Sequence, residues 1–411
     1  MVILPEVPSV ISDTSDQGIH ENCATAKRAA QRSRQLHFVS DCTLRDTANA
    51  PGVFLGPAAT AIAQCLDNLG IDEIEHGVAS AHRDDEQLAC AINELNLSAD
   101  TSCVFFCLQS SSIAGAVDFA TGCGYDAIMI SMPSSDLFQQ LKLKRSFRAT
   151  CSLLEKAITY AVRAGLKVTF SGEDAARADL AALLEYVRVG EASGASRFRF
   201  AESVACLYPS EMRTRITNLC TSTTIPVEVH CHSAHGLAVA NTIAAFEAGA
   251  RWASVTVNGI GERGGNTPLE PVLLYLWRHF GADYYALNNI WHLSNLVSQA
   301  TGLHVHRFTP IVGADCFAYE ISSQYKEHRL YEEFPAEMVG NRRHLVYGRK
   351  ADTAALQMMV QMLGHDLSAE DLALLARRAD AVVSHQLQYL DLNDLRTLME
   401  TLKSDKLQCY T

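Results

Sequence analysis

Eight times between about residue 36 and residue 285, a short β-branched or apolar run is followed by a segment of helical period. That alternation limits the possible folds more than any single motif does. The strand-like runs are Leu36–Ser40, Glu73–His76, Ser102–Leu108, Ala127–Ser131, Lys167–Ser171, Arg197–Ala201, Val227–His230 and Ala253–Asn258. The helical segments between them are Pro57–Leu69, Glu86–Leu95, Ser112–Thr121, Thr150–Ala164, Ala178–Ala192, Ser210–Leu219 and Gly236–Ala248. Gly70, Gly165 and Gly249 stand where left-handed C-caps would close three of those helices. Eight β-then-α units over roughly 250 residues point to the α/β class and to a (β/α)8 TIM barrel. An open doubly wound sheet is the alternative, but no G-x-G-x-x-G follows the first strand.

After about residue 285 the strand rhythm stops. A helical stretch, Ala286–Gln299, leads into an irregular segment, and three helix-like segments follow at Thr353–Leu363, Ser368–Leu390 and Asn393–Ser404. The chain therefore divides into an N-terminal arm (1–35, with one short helix around Ala24–Arg34), a barrel (36–285), a linker and lid segment (286–350) and a C-terminal helical subdomain (351–411). With 48% hydrophobic and 19% charged residues, a sizeable core is expected. A net charge of −12 argues against a nucleic-acid partner or an anionic membrane surface, and no apolar run is long enough to span a bilayer. The 13 cysteines show no C-x-x-C pair, and no basic residue precedes Lys27. The expectation is a reduced, cytoplasmic protein without a secretory signal.

Barrel chemistry gathers at the C-terminal ends of the strands. Val227-Glu228-Val229-His230-Cys231-His232 ends one strand with two histidines at i and i+2, which project to one face. Two imidazoles on one face, with an acid from elsewhere, suit one divalent ion. Asp46 is the expected third ligand and Asn266 a possible fourth; Mg, Mn, Zn and Co all remain open. Arg45 either pairs with Glu75 or Glu173, or supplies a fixed positive charge to a developing oxyanion. Glu173 is a general acid/base or a partner for Arg45. The other strand ends offer His76, Gln109 and Ser203, with Arg263 in the glycine-rich loop Gly259–Asn266. That loop is an anion nest, a tight turn, or both. The basic cluster Lys142–Arg148 is either a solvated helix start or a seat for the phosphates of a nucleotide-bearing cosubstrate.

These motifs resemble those of the metal-dependent (β/α)8 family of 2-isopropylmalate, citramalate and homocitrate synthases. The resemblance rests on Asp41-x-Thr43-Leu44-Arg45-Asp46, Ser171-x-Glu173-Asp174-x-x-Arg177-x-Asp179, His230-x-His232 and Thr256–Glu270. Arg197–Ala201 and Pro310–Ala314 look most like the nitrogen-fixation type of homocitrate synthase. It implies a Claisen condensation of acetyl-CoA with a 2-oxo acid on a divalent metal. It also implies a homodimer whose C-terminal segments reach over each other's barrels.

The departures are informative. Thr47-Ala48-Asn49 replaces the family's Gly-Glu-Gln, Ser233-Ala234 replaces Asn-Asp, and Glu202-Ser203 replaces Asp-Thr. Gln324 stands where the family has a C-terminal histidine linked to acetyl-CoA activation, and a glutamine is no general base at neutral pH. Tyr331 is retained, and His328 is a candidate replacement base. The end of the second strand, Glu75–Arg83, is rich in imidazole and guanidinium, which suits a doubly charged distal group. The expected substrate is thus a dianionic 2-oxo acid. With 2-oxoglutarate the chain would be a homocitrate synthase, and with phosphonopyruvate a 2-phosphonomethylmalate synthase of a phosphonate pathway. A lyase acting on a 3-hydroxyacyl-CoA would be expected to carry a cysteine in the Gly259–Asn266 loop, which has none. A non-catalytic metal and 2-oxo-acid-binding descendant is the remaining alternative.

Overall fold

The computed structural model describes residues 36–79, 83–386 and 388–408. The helix expected around Ala24–Arg34 and the Ser80–His82 part of the second strand end lie outside the described residues, as does the Arg83 side chain. Eight parallel strands close into a barrel in sequence order: β1 (Phe38–Asp41), β2 (Glu73–Val78), β3 (Asp100–Phe106), β4 (Ala127–Pro133), β5 (Lys167–Glu173), β6 (Arg197–Glu202), β7 (Val227–Cys231) and β8 (Trp252–Val255). Closure is made by β1 pairing with β8, Phe38 opposite Trp252 and Asp41 opposite Val255. All eight strands expected from the alternation are present. The last is shorter than expected, because Asn258 turns left-handed (φ 59°) inside a short turn at Val257–Gly259.

The surrounding helices are α1 (Ala59–Leu69), α2 (Arg83–Asn93), α3 (Ile113–Gly122), α4 (Phe147–Arg163), α5 (Leu180–Ala192), α6 (Pro209–Cys220), α7 (Ala238–Glu247), α8 (Leu269–Phe280) and α9 (Ile290–Thr301). Gly70, Gly165 and Gly249 are left-handed at helix ends, with φ of 96°, 91° and 108°. The apolar core lies between strands and helices. It takes Ile128, Ile130 and Met132 from β4, and Phe198 and Phe200 from β6. Each such side chain contributes about 1.5–3 kcal/mol by leaving water. The fit is close: a Cβ at Gly190 on α5 would run into the Phe170 ring.

The opposite strand face points to the barrel axis, and its contents are charged. Arg197 pairs with Glu73 at 2.6 Å and Glu228 at 2.7 Å, and its guanidinium lies 4.0 Å over the Trp252 ring. Arg199 pairs with Glu75 at 2.6 Å and Glu228 at 2.9 Å. Strand parity explains this: Arg197 and Arg199 alternate with Phe198 and Phe200, so both cations turn inward and both rings outward.

A second apolar cluster joins α10 (Thr353–Met362), α11 (Ala369–Gln386) and α12 (Leu392–Gln408) through Leu356, Met359, Leu375, Leu395 and Met399. The Ser368 hydroxyl caps α11 by accepting from the Asp371 amide at 3.1 Å. The same hydroxyl donates to the Asp371 carboxylate at 3.0 Å. Among the described residues no helix is long and apolar enough to cross a membrane.

Candidate active site

At the C-terminal mouth of the barrel, a cavity of about 520 Å³ is lined by Arg45, Asp46, Ser131, Ser171, Glu173, Arg199, Ser203, His230, His232 and Arg263, among others. Arg45 and Asp46 ride on a single helical turn, Thr43–Asp46, directly after β1. Asp41 starts that turn by accepting from the Thr43 amide at 2.8 Å. The Thr43 hydroxyl in turn accepts from the Val257 amide at 2.8 Å, which ties the turn to the end of β8.

The ligand atoms of Cys42, Asp46 and His230 all lie within 4.8 Å of one another. His230 Nε2 is 3.4 Å from Asp46 Oδ2, while Nδ1 meets the Ser254 hydroxyl at 2.9 Å. Two ligands of one ion stand roughly 3–4 Å apart, so this pair fits. Burial holds His230 well below its ordinary pKa, although Asp46 opposes that, and the ring is neutral with a lone pair to give. Asp46 is held well below the usual carboxylate range: burial opposes ionisation, but the Arg45 guanidinium beside it and the Asn266 amide outweigh that. His232 is buried, its ring 5.0 Å from that of His230, and it too is shifted down by burial and by Arg263.

Asn266 donates its amide to Asp46 Oδ2. Two polar atoms at this centre, Asn266 Oδ1 and His232 Nδ1, are buried without a hydrogen-bond partner. A carboxylate, two neutral imidazoles and an unsatisfied amide oxygen make a donor set that fits one divalent ion. Cys42, which the sequence reading did not single out, is different. Burial pushes its thiol well up, and it donates to the Val255 carbonyl at 3.2 Å.

The glycine-rich loop is a tight turn that positions Asn266. Gly264 and Gly265 are left-handed (φ 92° and 95°), and a Cβ at Gly261 would collide with the Asn266 side chain. The amides of Gly259, Gly265 and Asn266 bond to carbonyls of Thr256, Glu262 and Gly259. Those three amides are therefore spent inside the turn, not offered to an anion.

Arg45 is buried, donating from Nε to Glu75 Oε1 at 2.5 Å and from Nη1 to Asp46. Of its two expected acidic partners the structure chooses Glu75. Glu173 instead takes Lys142, with Nζ 2.6 and 2.8 Å from its two oxygens. Lys142 thereby leaves the basic cluster and joins the cavity wall, 5.9 and 6.0 Å over the Phe106 and Phe138 rings. Ser203 reaches the cavity and accepts from the Asp174 amide at 2.9 Å. Its neighbour Glu202 is buried away from the cavity wall, accepting from the Leu207 amide at 3.1 Å, and burial raises its pKa to about 7.

Four expected site residues are not brought to the cavity. His76 follows Glu75, so the period of two turns it away from the axis. Its Nε2 meets Asn93 Oδ1 at 3.0 Å and its Nδ1 the Tyr125 hydroxyl at 3.1 Å. In this chain it lines a smaller cavity of about 210 Å³ that also takes in Arg45 and Thr47, not the 520 Å³ one. Gln109 lies beyond the end of β3, exposed, before a short turn at Ser110–Ser112. Within the single chain Tyr331 is exposed, and His328 Nδ1 contacts the Tyr325 carbonyl at 3.2 Å. Gln324 lines a separate cavity of about 530 Å³, with Arg307, Tyr319 and Tyr389.

Burial lowers the His76 pKa to about 4, so the folded state excludes a proton that the unfolded chain accepts near 6.5. The stability this confers is complete above pH 6.5 and is lost as pH falls through 4. Between pH 7.5 and 4.5 wild type should lose about 2–3 kcal/mol from this group. Urea denaturation of His76→Gln at both values should show that much less pH dependence. An unchanged difference would contradict the assignment.

Residues 37–297 match the HMGL-like family. The chain belongs to that family. It is 36% identical over 344 residues to a putative (R)-citramalate synthase of Methanosphaerula palustris, covering 82% of this chain and 67% of that protein. It is 34% identical over 339 residues to a 2-isopropylmalate synthase of Methanocaldococcus jannaschii, of whose length it spans 64%. With a homocitrate synthase of Methanosarcina mazei it shares 31% identity over 374 residues, 90% of this chain and 91% of the other. The HMG-CoA lyase structure from Bacillus subtilis superposes with a TM-score of 0.59 at 14% identity, over 68% of this chain and 97% of that one, a likeness of fold.

Proposed function

We propose that this HMGL-like chain is an acyltransferase that condenses acetyl-CoA with a 2-oxo acid carrying a second acidic group, of the 2-oxoglutarate or phosphonopyruvate kind. The reading is supported above all by one observation: Asp46, beside Arg45, lies 3.4 Å from His230 and takes the Asn266 amide, with the His232 ring 5.0 Å from that of His230. The homocitrate, citramalate and 2-isopropylmalate synthases among its relatives support the reaction class.

Asp46, His230, His232 and Asn266 would hold the divalent metal, which when bound polarises the 2-oxo acid's carbonyl and balances its carboxylate. Arg45 would donate hydrogen bonds to the carbonyl oxygen as it becomes an alkoxide; in a dry pocket such donors act strongly. A base takes a proton from the acetyl methyl, the new C–C bond forms at the 2-oxo carbon, and water then cleaves the thioester to release CoA. Glu173, on the cavity wall, is the candidate acid/base from this chain. His328 and Tyr331 would act on the barrel of a second copy in a homodimer. With His76 removed from the cavity, Lys142 and Arg263 are the cations on its wall that would meet the distal acidic group.

The test is free-thiol release from acetyl-CoA with added Mg, Mn, Zn or Co and a panel of pyruvate, 2-oxoisovalerate, 2-oxoglutarate and phosphonopyruvate. Turnover is expected with a dianionic member. No release above background with any of them would overturn the reading, and binding without release would identify a non-catalytic descendant.

A further inference from the structure

In the proposed reaction Arg45 must aim a guanidinium at the cavity, and a single turn of helix after β1 does not by itself fix that aim. The aim is set from behind. Arg45 Nε is held on Glu75 Oε1, and the other Glu75 oxygen faces Arg199 Nη1 at 2.6 Å. Arg199, only 1% exposed, turns Nη2 and Nε onto Glu228 Oε1 at 2.9 and 3.1 Å. The second Glu228 oxygen lies 2.7 Å from Arg197 Nε; this contact and the Arg199 Nη1–Glu75 and Nη2–Glu228 contacts are charge pairs without hydrogen-bond geometry. Charge alternates along Glu228, Arg199, Glu75, Arg45 and Asp46, from the middle of the barrel to its mouth. In a medium this dry, each ion's position dictates that of the next.

Apolar packing of the same axis would be at least as stable as buried ion pairs. What an ion column adds is direction for the charged group at its end. We infer that Arg199 and, behind it, Glu228 are positioning residues for Arg45: they hold Glu75 so that the Arg45 guanidinium faces the reacting oxygen. Glu228 lies on β7 two residues below His230, so the same strand that offers a metal ligand also anchors the column. The inference rests on the functional reading only for its kinetic arm.

Two substitutions test it. Arg199→Lys keeps the charge, but an ammonium is a point donor and cannot span Glu75 and Glu228 as the guanidinium fork does. Glu228→Gln keeps the shape and removes the charge; should it fail to fold, Arg199→Lys carries the same measurements. The first readout is hydrogen exchange at Arg45 Nε, its NMR signal identified by its absence in Arg45→Lys. Exchange should accelerate at least about tenfold in both variants. The second is kinetic: kcat should fall roughly tenfold to a hundredfold with KM within about twofold. In an Arg45→Lys background the same substitutions should change kcat by less than about twofold, because residues in one ion network are not additive. Unchanged exchange at Arg45, or kcat losses that multiply in full in the Arg45→Lys background, would overturn the inference. A wild-type chain inactive with every 2-oxo acid would end the functional reading, and the exchange measurement would then decide the positioning role alone.

Discussion

Arg45→Ala is expected to lose both rate and stability. The guanidinium sits between two buried carboxylates, Glu75 and Asp46. Burial opposes its charge, yet Asp46 and Glu75 together raise its pKa, so it is a fixed cation at any working pH. Removing it leaves Glu75 with Arg199 alone and Asp46 without its strongest neutraliser. Breaking a buried pair from one side costs about 3–5 kcal/mol. The same substitution removes the donor proposed for the developing oxyanion, a loss of roughly 10²–10³ in kcat. Arg45→Lys should recover part of the stability and little of the rate, because an ammonium lacks the fork. Urea denaturation and thiol release on the three proteins separate these effects. If Arg45→Ala loses stability alone, with kcat per folded molecule unchanged, the residue is scaffold and the oxyanion role is wrong.

Asp46→Ala should abolish metal response while leaving a folded barrel. Asp46 is the only carboxylate in the tight group formed with Cys42 and His230 among the described residues. Its removal leaves two neutral imidazoles and an amide, a weak set for a hard or borderline ion. A ligand that binds only the folded state stabilises it by about 2.7 kcal/mol at a hundred times its Kd. Wild type should therefore melt higher with added Mn or Mg, and Asp46→Ala should not. Glu75 remains on Arg45, so the fall in ion-free stability should be smaller than for Arg45→Ala. An Asp46→Ala protein that still gains stability from the ion would place the site elsewhere.

The barrel was legible because parallel strands buried on both faces read as compact apolar runs, and each helix repeats at its own period. Helix caps such as Gly70 were legible for the same local reason. The ion column was not. Arg197-Phe198-Arg199-Phe200 shows by parity that two cations share a face, but nothing in the string says which of the barrel's carboxylates they meet. The direction of His76 was legible by parity: with Glu75 on the axis, a period of two sends His76 to the other side, against Asn93. The same parity, counted from Ser40 on β1, would have flagged Cys42 beside Asp46. Glu173 lines the cavity, but its partner Lys142 lies 31 positions away in a single helical turn, Gln139–Leu143, too short for periodicity to reveal. His328 and Tyr331 were placed by resemblance to a dimer, and their position in one chain does not bear on that.

The most direct test is to locate the ion. Crystals of the full chain grown with Mn would show its position by anomalous scattering at the manganese edge. One peak per chain is expected, within about 2.0–2.4 Å of Asp46 and of a ring nitrogen from each of His230 and His232. A peak bound elsewhere in the barrel, or no ordered ion at the Asp46 carboxylate at saturating Mn, would contradict the site on which the proposed chemistry depends.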